Sequence, residues 1–237
     1  NWAPPVWGQS PWGDKGQAYS AENEALVNQR LHMEQVQRRN MPNLQSTFMQ
    51  RAALPIAHCQ DQLLEAIKTS TVVFISGSTG CGKTTQLPQL LMEWATNRGE
   101  ATKMNILCTQ PRRIAAITVA ERVAQERGER VGNSVGFHVR FHQVLPRGYA
   151  SICYMTTGML LRRMTASGLR GVSHLIIDEV HERDLDTDFL LTIIRQLVHY
   201  CPGMRVVLMS ATIDLNKWQT YFASSLGTQL EIPGRLF

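Results

Sequence analysis

Two short runs carry residue types suited to phosphate chemistry: GSTGCGKTT at 77–85 and DEVHERD at 178–184. The first fits G-x-x-x-x-G-K-[ST] at every fixed position. Gly77, Gly80 and Gly82 let backbone N–H groups turn inward around phosphate oxygens, and a helix starting after the loop aims its positive end at the same point. Ser78, Thr79 and Cys81 fill the variable places, Cys81 as a small filler. Lys83 is expected to reach the β- and γ-phosphates of ATP, or the β-phosphate of ADP, Thr84 to offer its hydroxyl to Mg²⁺, and Thr85 to complete the nucleotide-binding stretch.

The second run follows the apolar HLII, which reads as a buried strand. In a parallel sheet ligands collect beyond the carboxyl ends of the strands, so acids there can face a phosphate loop across the crevice. Asp178 is the expected partner of Mg²⁺ beside Thr84. Glu179 is a second carboxylate at the metal, placed to orient and activate an attacking water. The pattern implies metal-assisted phosphoryl transfer, which asks for positioning and charge stabilisation and little else.

The elements that must position these groups alternate after Thr71 between short apolar runs and longer amphipathic ones, the mark of an α/β domain with a mostly parallel sheet flanked by helices. Strands are predicted at 72–76, 105–109, 151–156, 174–178, 205–210 and 229–232, and helices near 83–97, 113–127, 157–166, 187–199 and 215–222. SVGFHVRF at 134–141 reads as an extra strand or as a loop crossing the sheet edge. Ahead of this, a helix over about 20–39 with Ser20 as its N-cap, a segment at 44–53 and another along 56–68 form a helical extension expected to pack on the core. Residues 1–20 hold three tryptophans, three prolines and three glycines and match neither period, so they read as a linker or docking strap. The division is thus 1–20 linker, 21–70 helical extension and 71–237 main domain.

With 237 residues, 43% of them hydrophobic, the chain can bury one good core. A net charge of +5 excludes a strongly acidic protein and suits a polyanionic partner. Cys59, Cys81, Cys108, Cys153 and Cys201 are odd in number, with no C-x-x-C pair, which argues for a reducing compartment, nuclear or cytoplasmic, and against a zinc site. No apolar run has the length of a membrane helix, so no membrane partner is expected.

DEVHERD also resembles the signature of the DExH-box RNA helicases of superfamily 2, and TQPRR (109–113), GFHVRF (136–141), TTGMLLRRM (156–164) and SATI (210–213) follow in that family's order. CGKTTQLPQ, RGVSH and DTDFLL look most like the RNA helicase A and Maleless subgroup. The resemblance covers about 50–237 and implies the first RecA-like lobe of an ATP-driven RNA helicase, a P-loop NTPase domain. It implies that His181 links the nucleotide site to Ser210 and Thr212 and senses the γ-phosphate, and that Arg122 stacks on the nucleobase with little regard for its identity. By the same resemblance Arg112 and Arg113 face an RNA backbone, and Thr156, Thr157 and Gly158 open a helix that takes a further phosphate. Nothing in it reads a base, and DNA is left open as a ligand. Arg162 and Arg163 are expected on the outer face of that helix, and Arg183 and Asp184 in ion pairs holding the strand-end turn.

No Q-x-x-G-R-x-G-R run occurs in the 237 residues, so the second lobe, its arginine fingers and the C-terminal domains are expected as partners outside this sequence. The chain alone is then expected to bind nucleotide with Mg²⁺ and to hydrolyse it slowly. Two other classes compete: a P-loop ATPase of another kind, against which TQPRR and SAT speak, and a nucleotide-holding scaffold that captures proteins with its tryptophan strap. Intact Lys83, Thr84, Asp178 and Glu179 argue against the second.

Overall fold

A computed structural model of the chain describes residues 11–12, 23–201, 203–211, 221–222 and 227–234. Helices α1 (Glu24–Arg39), α2 (Gln45–Ala52) and α3 (Gln60–Thr69) precede the sheet. Then come β1 (Val72–Gly77), α4 (Lys83–Asn97), β2 (Asn105–Gln110) and α5 (Arg113–Glu126). The hairpin strands β3 (Val135–Val139) and β4 (His142–Val144) lead to β5 (Ser151–Thr156) and α6 (Thr157–Ala166). The described chain ends with β6 (His174–Ile177), α7 (Leu185–Tyr200), β7 (Arg205–Ser210) and β8 (Gly227–Ile232).

The eight strands run in the order β4-β3-β5-β2-β6-β7-β1-β8. All neighbours are parallel except β3 and β4, an antiparallel hairpin at one edge, which resolves 134–141 as a strand and its turn. β1 and β2 are buried along their whole length, and the side chains of the central strands alternate between two cores, as pleated strands covered on both faces must. Val73 and Ile75 join Ile106, Ile176, Val207 and Met209 under α4 and α5, where α1 and α3 add Val27, Leu31, Leu63 and Ile67. Val72 and Phe74 join Leu107, Leu175, Ile177 and Leu208 under α6 and α7.

The first helix begins at Glu24, with Asn23 at its cap and no side-chain cap bond, later than the Ser20 start expected from its composition. Ser20, Thr212, the tryptophans at 2 and 7 and most of the helix expected at 215–222 lie outside the described residues. Asn28 ties α1 down: its amide donates to Thr102 Oγ1 and its carbonyl oxygen accepts from Thr102 N, both at 3.0 Å.

Trp12 is docked on the face that carries α6. Its indole N–H donates to Ser151 Oγ at 2.9 Å, its ring is 8% exposed, and the Arg163 guanidinium lies over it at 5.0 Å. Arg163 also donates to the Pro11 carbonyl at 2.5 Å. Arg163 was expected on the solvated face of its helix. It turns inward instead because a flat cation can cap an indole and bind a main-chain carbonyl with different parts of one group. Among the described residues no helix is long and apolar enough to cross a membrane.

Candidate functional site

The carboxyl ends of the parallel strands form one edge, and along it β5, β2, β6, β7 and β1 stand in sequence. At the end of β1 the chain leaves the sheet through Ser78, Thr79 and Gly80, all exposed, and returns through Cys81 and Gly82 into α4. Gly82 has φ +98°, a left-handed conformation, and a Cβ there would stand 2.9 Å from Ile56 Cγ2, so only glycine suits the turn. The Lys83 ammonium is buried under the loop and donates to the carbonyls of Gly77 at 2.5 Å and Ser78 at 3.2 Å. The Thr85 hydroxyl accepts from Gln86 Nε2 at 2.8 Å and donates to the Gly82 carbonyl at 3.5 Å.

Two strands away, Asp178 follows β6 and is 4% exposed. Thr84 Oγ1 donates to its Oδ2 at 2.5 Å, Gln110 Nε2 donates to the same oxygen at 2.7 Å, and Glu179 N donates to Oδ1 at 2.9 Å. Burial pushes the Asp178 carboxyl above its ordinary range, while those three bonds and the Lys83 charge pull it back part of the way. Glu179 sits at φ +53°, a strained place for a non-glycine residue. Its own carboxyl is raised by burial and then by the Asp178 charge, with His181 and Lys83 opposing. His181 Nδ1 stands 3.3 Å from Glu179 Oε2 without hydrogen-bond geometry, so that buried oxygen has no hydrogen-bond partner among the described residues. The turn Val180–Glu182 packs against β7, whose last residue, Ser210, is fully buried and lies in register beside Ser76 through β1.

These groups fit a magnesium nucleotide. The loop offers exposed main-chain positions and an ammonium, and beside them lie one hydroxyl, one buried acid and one acid oxygen lacking a donor. Among the described residues no set of three His, Cys, Asp or Glu side chains could hold a metal by itself. Asp178 and Glu179 are the kind of donor set Mg²⁺ uses, since it takes one or two carboxylates and completes its shell with phosphates and water.

The other half of the edge carries the residues expected to meet nucleic acid. Gln110 pairs in register with Thr156, so the turn after β2 and the turn into α6 are neighbours. Arg112 is 76% exposed and its guanidinium stands 3.5 Å from Glu182, and Arg113 is exposed at the start of α5. Thr156 and Thr157 lead into α6, and a Cβ on Gly158 would meet Asp186 Oδ2 at 2.8 Å. An acid of α7 therefore lies against the N-terminal turn expected to take a phosphate, where a negative charge is favoured. Arg183 pairs with Asp188 at 2.7 Å, whereas Asp184 makes no ion pair among the described residues and caps α7 by accepting from Thr187 N at 2.9 Å. A carboxylate at a helix start is better used on free N–H groups than on a solvated cation.

Arg122 lies on α5 and donates from Nε to Glu126 at 2.7 Å. The sequence reading missed Gln110, Glu126 and Tyr154. Gln110 closes β2, the neighbour of β6, and so falls beside Asp178; strand order, which local patterns do not carry, was the absent signal. Pro88 inside α4 has no N–H for the Thr84 carbonyl, and the buried Tyr154 hydroxyl donates to that carbonyl at 3.0 Å instead.

Residues 57–220 match the family described as DEAD/DEAH box helicase. The chain is 44% identical over 218 residues to the putative ATP-dependent RNA helicase DHX57 of Homo sapiens, covering 92% of this chain and 15% of that protein. It is 42% identical to the ATP-dependent DNA/RNA helicase DHX36 of Mus musculus, over 91% of this chain and 22% of the other. With the DExH-box ATP-dependent RNA helicase DExH3 of Arabidopsis thaliana the figures are 44%, 78% and 15%. The chain thus spans between 15% and 22% of the length of these curated relatives.

Proposed function

Because the chain belongs to the DEAD/DEAH box helicase family, among the DExH-box RNA helicases, we propose that it acts as the ATP-binding lobe of an ATP-dependent RNA helicase, coupling NTP hydrolysis to movement along RNA together with a second lobe. The observation that carries this reading is the meeting of the phosphate loop with the strand-end acid, Thr84 Oγ1 to Asp178 at 2.5 Å. The finer likeness to RNA helicase A rests on CGKTTQLPQ, RGVSH and DTDFLL alone.

In this reading the loop's N–H groups and Lys83 bind the phosphates, and Thr84 and Asp178 hold Mg²⁺. When bound, the metal supplies charge neutralisation at the transferring phosphoryl group. Glu179 accepts a proton from the attacking water at the oxygen that now lacks a donor. His181, beside Glu179 and on the turn packed against β7, carries the state of that carboxylate toward Ser210 and Thr212. Arg112, Arg113 and the Thr156–Gly158 turn hold an RNA backbone, contacts that set register without reading sequence. Five free thiols, four of them buried, support work in a reducing compartment, nuclear or cytoplasmic.

The test is titration of the chain with Mg–ADP, followed by turnover in the parent protein with and without single-stranded RNA. Lys83→Ala is expected to abolish binding, and Glu179→Gln to keep binding and lose turnover. Full turnover in the Glu179→Gln protein would remove Glu179 from its role.

A further inference from the structure

Behind the phosphate loop a buried carboxylate is held by three donors from two helices. The Glu126 side chain is 5% exposed. Its Oε1 accepts from Arg122 Nε at 2.7 Å, one turn earlier on α5. Its Oε2 accepts from Gln86 Nε2 at 2.9 Å and Gln89 Nε2 at 2.8 Å, both on α4. Gln86 lies three residues after Lys83, and its own Oε1 accepts from Arg51 Nε at 2.7 Å, so the network continues into α2.

A plain surface ion pair needs none of this, since an exposed i,i+4 pair contributes little, and taking a carboxylate out of water is costly unless its lone pairs are filled. Here they are filled, and the effect falls on Arg122. One bond from Nε fixes the plane of the guanidinium. Its terminal nitrogens have no partner among the described residues, and its side chain is 53% exposed, so a flat cationic face of fixed orientation is left open.

Resting on the reading of Arg122 as the nucleobase platform, we propose that Glu126 is a positioning residue for nucleotide binding. It sets the plane on which the base stacks and, through Gln86 and Gln89, ties that plane to the helix carrying Lys83 and Thr84. Base and phosphates then meet a surface whose two parts keep one spacing. The site gains affinity from the base without asking which base it is, because stacking on a guanidinium depends on a π face rather than on edge groups.

The experiment compares ADP with inorganic pyrophosphate, both with Mg²⁺, on the full chain. Glu126→Gln is expected to weaken ADP about five- to tenfold, the scale of one hydrogen bond, and to leave pyrophosphate unchanged. Arg122→Ala should do the same, and the double variant should lose no more than Arg122→Ala alone. Glu126→Asp keeps the buried charge and draws it back from Arg122; it serves where Glu126→Gln melts early and should show the same loss confined to ADP. Equal losses on both ligands would reduce Glu126 to packing between α4 and α5 and overturn the proposal. So would unchanged ADP binding in the Glu126 variants while Arg122→Ala weakens it. Unchanged ADP binding in Arg122→Ala would instead remove the platform reading beneath it.

Discussion

Thr84 Oγ1 and Asp178 Oδ2 lie 2.5 Å apart, joining residues 94 positions distant in the chain. Because Gln110 donates to the same oxygen, this acid also stands between the half of the strand-end edge that bears Lys83 and Thr84 and the half that bears Arg112 and Thr156.

Burial raises the Asp178 carboxyl. A group raised in the folded state contributes stability below its unfolded value, and that contribution is lost as pH rises through the folded one. Above that folded value the ligand-free chain therefore carries a destabilising buried charge. Asp178→Asn should raise the melting temperature without ligand by about 2–4 °C, the shift that about 1 kcal/mol gives in a domain of this size. It should also cancel the extra protection that Mg²⁺ adds to ADP. Thermal melts with ADP, with and without Mg²⁺, check both, and retained Mg²⁺ dependence would count against Asp178 as the metal ligand.

Glu179 is raised as well, first by burial and then by Asp178. A base works only when deprotonated, so turnover should climb with pH along an acid limb set above the ordinary glutamate value of about 4.3. Asp178→Asn removes the charge that lifts Glu179 and should shift nucleotide-independent titration of Glu179 downward, readable by carboxyl NMR. An upward shift would contradict the cause assigned here.

Arg112 and Glu182, 3.5 Å apart, predict opposite effects on RNA. Arg112→Ala should weaken single-stranded RNA equally across sequences and reduce the salt slope by about 0.7, one phosphate contact. Glu182→Gln should release Arg112 and tighten binding about two- to threefold at low salt. Asp186→Asn, which takes the charge from beside Gly158, should act in the same direction. Filter binding across a salt series measures all three, and a sequence-selective loss in Arg112→Ala would exclude a backbone contact.

Trp12 predicts a stability effect. Its Ala variant loses a buried ring, the bond to Ser151 and the Arg163 cap. The expected cost is about 3–5 kcal/mol, or on the order of 6–20 °C in melting temperature. Trp12→Phe should fall between. An unchanged melting curve would show that the dock adds nothing to the fold.

Much of this architecture was legible because its signals are local. The phosphate loop is a continuous pattern, and the apolar stretches Val72–Ile75 and Leu175–Ile177 are unbroken by polar residues because these strands are covered on both faces. What sequence could not supply was long-range. Gln110 matters through strand order, Glu126 through two glutamines on another helix, and Arg163 through a tryptophan 151 positions upstream, as 163 minus 12 gives. The Asp184 cap was misassigned because an Asp beside an Arg looks like an ion pair until the helix start behind it is known.

The hydroxyl that Tyr154 lends to the Thr84 carbonyl has a mechanical consequence. Proline at 88 unstitches the first turn of the phosphate-loop helix from itself, and that turn is sewn to β5 instead. Two residues further along the same strand stands Thr156, where RNA is expected. Were RNA held at Thr156 as proposed, a pull there would reach Thr84, the proposed magnesium ligand, through one rigid aromatic spoke.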